Sequence, residues 1–181
     1  MSEHAEHAIW RLDEALPVLE ATPTILRSLL AHLQHESLDF HEDAAAWSPR
    51  TVLVHFIHNE RTNWIPRARV ILSAGEVRRF VPFQQLPTSG EIDDSDVLAM
   101  LAKFAALRQE NITFLRSLNL KPEDYDRTAE HPSLGTVTLA QLLATWTVHD
   151  LNHIQQILKS LAKRHSAAVG PWRQYLAILD L

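Results

Sequence analysis

Apolar residues recur at three- and four-residue intervals along most of the chain, which is the spacing of one buried helix face. The clearest run comprises Leu26, Leu29, Leu30 and Leu33. Pro17 and Pro23 interrupt this part of the chain, and Thr22 before Pro23 is typical of an N-cap followed by a proline in the first helical turn. We therefore predict two helical pieces between residues 9 and 33, the second beginning at Pro23.

A second helix is predicted to follow a polar connection over residues 34–47. Ser48 is a suitable N-cap, and Pro49 fits the first helical position. The apolar pattern then continues toward Leu72. Because Pro66 has no backbone N–H, we expect a kink at that position.

Residues 73–94 form a long connection broken by Gly75, Pro82, Pro87 and Gly90. Loops of this length in compact domains are usually functional or mobile. A third helix should follow the capping and acidic residues Asp93, Asp94 and Ser95. It should end near Leu118 and Asn119, since Pro122 prevents its continuation.

The fourth helix begins at a capping box, in which Thr138 and Gln141 satisfy each other's backbone N–H groups. It is predicted to run from Leu139 to about Lys163, and a short helix over residues 172–179 completes the chain. Four principal helices joined by two long connections predict an all-α fold, an antiparallel four-helix bundle with a short C-terminal helix. Residues 1–181 are expected to form one domain.

Composition narrows the functions that this bundle could have. The formal net charge is −5, so no excess of Lys and Arg is present to neutralise phosphates, and we expect no nucleic-acid partner. The sequence has no apolar run long enough to span a membrane and no signal-peptide pattern at its start, so a cytoplasmic location is expected. Cysteine is absent, which leaves His, Asp and Glu as the ligands for any metal ion.

His149 and His153 are the strongest candidates for chemistry. Side chains at i and i+4 project from one helical face, so two imidazoles can converge on one ion at about 2.0–2.1 Å. Asn152 and Gln156 each follow one of these histidines by three residues and could orient the rings. With 11 histidines in the chain, a solvated pair on an exposed face is the alternative.

The second helix offers a third ligand. His55 lies in an otherwise apolar stretch where a histidine needs a partner, and Asn59 shares its face. His58 lies close enough to substitute, and spacing favours His55 only slightly. Glu60 and Asp150 are candidates for proton transfer, but neither is favoured as a general base.

Several motifs together resemble the DinB-like (DinB/YfiT) superfamily, over about residues 22–160. They are Trp47-Ser48 before His55, Glu60-Arg61, the run from Trp64 to Arg67, the loop Val81-Pro82-Phe83, and the run from His131 to His153. The resemblance implies a four-helix bundle with a histidine triad, selects His55 to join His149 and His153, and places a glutamine at Gln156. The segment over residues 9–21 has no counterpart.

The implied site is open, because three imidazoles leave at least one metal position for water or substrate. One divalent transition metal ion (Zn, Ni or Fe) suits such a site, and Trp146 could border its pocket. Some members of this superfamily are transferases that use thiols such as bacillithiol or mycothiol, so a metal-dependent thiol transferase acting on a small molecule is the first expectation. A metal-dependent hydrolase is one alternative, and a non-enzymatic, stress-associated module that binds a metal or ligand is another. The third alternative is that no metal is bound and the histidines are packing residues. Members of this family often form homodimers, so the resemblance also implies a homodimer.

A basic cluster leads into the long loop and comprises Arg61, Arg67, Arg69, Arg78 and Arg79. Solvated helix surface is the simpler interpretation of these residues. The functional interpretation is that they recognise a carboxylate on an acidic small molecule near the metal.

Overall fold

The computed structural model describes residues 12–74 and 78–180. Within these ranges it contains six α-helices: α1 Leu12–Leu30, α2 His35–Leu38, α3 Pro49–Thr62, α4 Trp64–Leu72, α5 Val97–Ser117 and α6 Leu139–Arg164. An antiparallel hairpin, β1 Thr128–His131 and β2 Gly135–Thr138, precedes α6. Short 3-10 segments occur at Pro122–Asp124, Gly170–Tyr175 and Ala177–Leu179. Across the described ranges, no helix is both long and apolar enough to cross a membrane.

The long helices form the predicted four-helix bundle. Helix α1 packs against α5 and α6, and α3 packs against the same two helices. Helix α4 continues the path of the chain beyond α3 and also contacts α6. The order around the bundle is therefore α1, α5, α3, α6, so α1 lies diagonally opposite α3, and α5 lies diagonally opposite α6.

The core consists of two apolar clusters with a buried arginine between them. One cluster centres on Trp64 and Trp146, the other on Phe56 and Phe104. The Arg108 guanidinium lies 4.9 Å from the Phe104 ring and 5.2 Å from the Trp146 ring, so it touches both clusters. Each fully buried large side chain contributes about 1.5–3 kcal/mol to folding, which makes these clusters the main source of stability.

Helix α1 is continuous, so the prediction of two pieces beginning afresh at Pro23 was wrong. Thr22 does not cap a new helix; its hydroxyl donates to the Val18 carbonyl at 3.0 Å. A proline inside a helix leaves the carbonyl four residues earlier without a donor, which for Pro23 is Leu19. Arg108 donates to that carbonyl at 2.8 Å, which replaces the missing helical bond. Of the predicted segment, residues 9–11 lie outside the described residues.

The chain breaks between α3 and α4 at Asn63, three residues before the kink predicted at Pro66. Asn63 has φ −108° and ψ −71°, and α4 begins at the next residue. Pro66 then lies in the first turn of α4, where a backbone N–H would have no helical acceptor. The proline was correctly taken as an interruption, but the helix adapts by starting again upstream of it.

Helix α6 begins as predicted, with Thr138 accepting from the Gln141 N–H at 3.1 Å and Gln141 accepting from the Thr138 N–H at 2.9 Å. Helix α5 follows residues 93–95 as predicted, and its N-cap is the next residue, Asp96, whose side chain accepts from the Leu98 N–H at 2.8 Å. The predicted C-terminal helix over residues 172–179 is two short 3-10 segments. The hairpin before α6 was not predicted.

Candidate metal centre

Three histidines converge where α3 meets α6. His55, His149 and His153 each offer a ring nitrogen, and these atoms all lie within 4.8 Å of one another. The Nε2 atoms of His55 and His149 are 2.9 Å apart. His58, the alternative on α3, is bonded through its Nε2 to the Gln84 carbonyl at 3.0 Å, so it does not join the group.

The hydrogen-bond partners of His55 and His153 fix which nitrogen of each of these two rings carries the proton. His55 Nδ1 lies 2.5 Å from the Gln85 carbonyl oxygen, which can only accept, so Nδ1 must donate. His153 Nδ1 donates in the same way to Gln156 Oε1 at 2.7 Å. His149 Nδ1 is buried, and its closest charged neighbour is Asp150 Oδ1 at 3.6 Å.

His55 and His153 therefore leave their Nε2 atoms free to bind a metal ion, and the Nε2 of His149 lies beside that of His55. The Nε2 atoms of His55 and His149 are close enough that either a proton or a positive ion must lie between them. Protein metal ligands have the same pattern, with one ring nitrogen on the metal and the other donating to an acceptor. The donor set thus fits one divalent transition metal ion.

Burial keeps two of these histidines neutral. It lowers the pKa of His55 to about 3, although the Gln85 carbonyl opposes the shift, and the neighbouring histidines lower it further. Burial likewise lowers the pKa of His153 to about 4, with His149 adding to the effect. Neutral imidazole is the form that binds metal, so both ligands are ready for it at pH 7.

Asn59 lies against the His55 ring and fixes its orientation. Its amide nitrogen donates to the His55 carbonyl at 2.8 Å and lies 3.2 and 3.0 Å from the two ring nitrogens. An atom that close to both nitrogens sits over the ring face, and so leaves the in-plane lone pair free. Asn63 donates to Asn59 Oδ1 at 2.8 Å and holds this amide in place.

The histidines line a cavity of about 530 Å³, a size suited to a small molecule. The long loop after α4 forms part of the cavity, since Phe80, Phe83 and Gln85 are among its lining residues. Aromatic rings pack against the histidines. The Trp47 and His153 rings are stacked with centroids 6.0 Å apart, and the Trp64 and His149 rings meet edge-on with centroids 5.0 Å apart.

The other sequence-predicted residues divide into two groups. Asn59 and Gln156 line the cavity beside the histidines. Trp146 is fully buried behind it and stacks on Trp64, with ring centroids 5.4 Å apart. Asn152 is exposed on α6 and does not line this cavity.

The sequence matches the family model of the DinB superfamily over residues 18–157. The chain belongs to the DinB superfamily. The resemblance stated from sequence motifs is thereby confirmed, but residues 18–21, for which no counterpart was expected, also fall within the match.

This DinB-superfamily protein also has curated relatives and a solved structural neighbour. An Oceanobacillus iheyensis protein named "Putative metal-dependent hydrolase" is 24% identical, over 84% of this chain and 87% of that one. A protein of the same name from Bacillus cereus (strain AH820) is 26% identical, over 84% and 86%. YfiT from Bacillus subtilis superposes with a TM-score of 0.72 at 20% identity, covering 92% of this chain and 94% of that one. YfiT is described as "a probable metal-dependent hydrolase with an unusual four-helix bundle topology", and the likeness shows the shared fold.

Behind the histidines, this DinB-superfamily protein has a buried ion network that the sequence did not reveal. Arg108 donates to Asp150 Oδ2 at 2.5 Å and to Glu60 Oε1 at 2.7 Å, and all three side chains are almost fully buried. Asn111 donates to the other Glu60 oxygen at 2.9 Å. One indication was available: Arg108 continues the helical spacing of the buried residues Leu101, Phe104, Ile112 and Leu115.

The network sets the charge beside the metal centre. Burial raises the pKa of Asp150, but the Arg108 charge and the hydrogen bonds to the carboxylate outweigh burial, so its pKa is below the ordinary value. Burial raises the pKa of Glu60 above its ordinary value despite the same arginine. Asp150 therefore keeps a negative charge next to His149, which favours a proton on His149 Nδ1.

Proposed function

We propose that the protein is a metal-dependent hydrolase whose His55, His149 and His153 hold one divalent transition metal ion. The observation that supports it most directly is the convergence of three histidine ring nitrogens on the wall of a cavity of about 530 Å³. The names of the curated relatives support the same class of reaction. Imidazole ligands suit Zn, Ni and Fe(II), so the ion is proposed only as one of these.

A divalent ion with an open position supplies a nucleophile by lowering the pKa of a bound water or thiol. The chain's own residues prepare the site for it. Gln85, Asn59 and Gln156 hold the rings with their Nε2 atoms inward, and the surrounding aromatic rings limit the access of bulk water.

No carboxylate lines the cavity within the described part of the chain. Glu60 and Asp150 are both bound to Arg108 and buried behind the histidines, so neither can take a proton from a substrate in the cavity. This agrees with the expectation that neither acts as a general base. Activation of the nucleophile would therefore depend on the ion rather than on an acidic side chain.

Thiol transfer is the second candidate, and the lack of a carboxylate base is the observation that favours it. Free water has a pKa of about 15.7, whereas a free thiol has a pKa of about 8.5, so a thiol needs far less help to ionise. The chain has no cysteine, so the thiol would be a separate low-molecular-weight compound.

One experiment separates these functions. Protein purified without a histidine tag is analysed for metal, then loaded with Zn, Ni or Fe(II) and assayed with activated esters and with a model electrophile plus several thiols. Ester cleavage that requires metal supports the hydrolase, and conjugation only in the presence of thiol supports the transferase. His153→Ala should abolish either activity, and His58→Ala, which alters a histidine outside the cluster, should leave it intact.

The same experiment tests the alternatives without catalysis. One bound metal ion per chain with no turnover of any ester or thiol would favour a metal- or ligand-binding module and refute the proposed hydrolase. No bound metal and unchanged thermal stability after chelation would favour histidines that only pack. A small-molecule partner, a homodimer and a cytoplasmic location remain predictions, the second of which light scattering on a sizing column would test.

A further inference from the structure

Arg67 is a half-buried cation that pairs with no carboxylate in the described part of the chain. Its guanidinium lies 4.9 Å from the Phe80 ring and 5.5 Å from the Phe83 ring. Among the residues that the structure describes, no carboxylate or carbonyl oxygen accepts a hydrogen bond from it, whereas Arg108 donates to two carboxylates and a backbone carbonyl. Arginine stays charged even when partly buried, so Arg67 offers unused N–H donors.

These donors face the cavity that contains the histidines. Arg67 lines the same cavity as His55, His149 and His153. It follows Trp64 by three residues on α4, so the two side chains project from one face about 5–6 Å apart. The ring centroids of Trp64 and His149 are 5.0 Å apart, so the Trp64 side chain lies between Arg67 and the histidine cluster.

His131 adds a second donor beside Arg67. The Ser133 N–H donates to His131 Nδ1 at 3.2 Å, so in the neutral ring the proton is on Nε2. His131 also lines the cavity and meets the Phe80 ring edge-on at 6.0 Å, while Arg67 lies over the face of that ring. The described lining of the cavity therefore has donors and positive charge at this end, and no acidic residue.

We propose that Arg67, with the Nε2–H of His131, binds a carboxylate of the substrate. The substrate is then an acidic small molecule whose apolar body lies against the aromatic walls while its reactive bond reaches the histidines. A guanidinium can hold both carboxylate oxygens at once, which fixes orientation as well as charge. The assignment rests on the proposed hydrolase and names its substrate class.

Binding of a matched pair of probes tests the assignment directly. Benzoate and benzamide have similar size, but only benzoate carries a negative charge. In metal-loaded protein, calorimetry should show benzoate binding about tenfold or more tightly than benzamide. Arg67→Gln should remove this preference. Arg69→Gln is the matched control, because Arg69 is exposed on α4 and lies over Phe114 at 4.2 Å, away from the cavity lining.

An Arg67→Gln protein that still prefers benzoate would overturn the assignment, because the ion or another group would then hold the anion. Arg67→Lys keeps the charge but loses the planar fork, so it should bind benzoate with intermediate preference. If Arg67→Gln fails to fold, as circular dichroism would show, an unchanged preference in Arg67→Lys overturns the assignment instead.

Turnover separates this inference from the proposed hydrolase. The 4-nitrophenyl esters of butyrate and of glutarate, the second with a free carboxylate, are compared in kcat and KM. Arg67→Gln should raise KM for the glutarate ester about tenfold and leave the butyrate ester unchanged. No turnover of either ester with a retained benzoate preference would refute the hydrolase alone. Turnover without any benzoate preference would refute the carboxylate site alone.

Discussion

The guanidinium of Arg108 donates a 2.8 Å hydrogen bond to the backbone carbonyl of Leu19, the one that Pro23 leaves without a helical donor. A side chain of α5 thus completes the backbone hydrogen bonding of α1. The same guanidinium also pairs two buried carboxylates, Glu60 and Asp150. One residue therefore joins α1, α3, α5 and α6.

Replacing this residue should destabilise the protein strongly. Arg108→Met would leave two carboxylates and one carbonyl buried without a partner, and we expect the free energy of unfolding to fall by about 3–5 kcal/mol. Denaturant unfolding measures this change. Arg116→Met on the same helix removes an ion pair with Glu20 that is about half exposed, so it should cost less than about 1 kcal/mol. Equal losses in the two variants would contradict the role given to Arg108.

Metal binding should stabilise the folded protein. A ligand that binds only the folded state adds about 2.7 kcal/mol when its concentration is a hundred times its Kd. We expect a chelator to lower the Tm of the wild-type protein and of His58→Ala, and to leave the Tm of His149→Ala unchanged. A chelator effect that survives in His149→Ala would show that the ion lies elsewhere.

Gln156 should set the affinity of the site through His153. Its Oε1 accepts from His153 Nδ1 at 2.7 Å and holds Nε2 toward the other ligands. Because such partners orient the ligating ring, Gln156→Leu should weaken metal binding about 10- to 100-fold. Gln155→Leu, at the exposed neighbouring position, is the control and should bind as the wild-type protein does. Competition with a chromophoric chelator measures both affinities.

The metal-free protein should lose stability as the pH falls from about 6.5 to about 4. His55 and His153 have pKa values of about 3 and 4 when folded, well below the ordinary value of 6.5. In this window the unfolded chain takes up protons that the folded chain does not, so acid favours unfolding.

Denaturant unfolding of chelator-treated protein at several pH values gives the slope of the free energy of unfolding against pH. His153→Gln removes one of the two groups and should make the slope shallower. A slope in the variant as steep as in the wild-type protein would show that other groups dominate the acid sensitivity.

The sequence predicted best what depends on near neighbours in the chain. The capping box of Thr138 and Gln141 and the shared face of His149 and His153 follow from helix geometry alone, and both are as predicted. Choosing His55 over His58 depended on the resemblance to a family. The structure agrees, because only His55 faces α6.

What the sequence did not predict depends on distant parts of the chain. The continuity of α1 through Pro23 relies on Arg108, 85 residues later, which no local pattern could indicate. The pairing of Glu60 with Arg108 depends on how α3 packs against α5. The hairpin depends on the pairing of Thr128 with Thr138, which is equally non-local.

The break at Asn63 divides the cavity wall between two rigid segments. His55 lies before the break on α3, and Arg67 lies after it on α4. Substitutions on α4 can therefore reshape the part of the wall that holds the substrate without shifting the backbone that carries His55. For protein engineering, this makes Arg67, rather than the buried core residues of α4, the position to vary when new specificities are sought from an unchanged reactive centre.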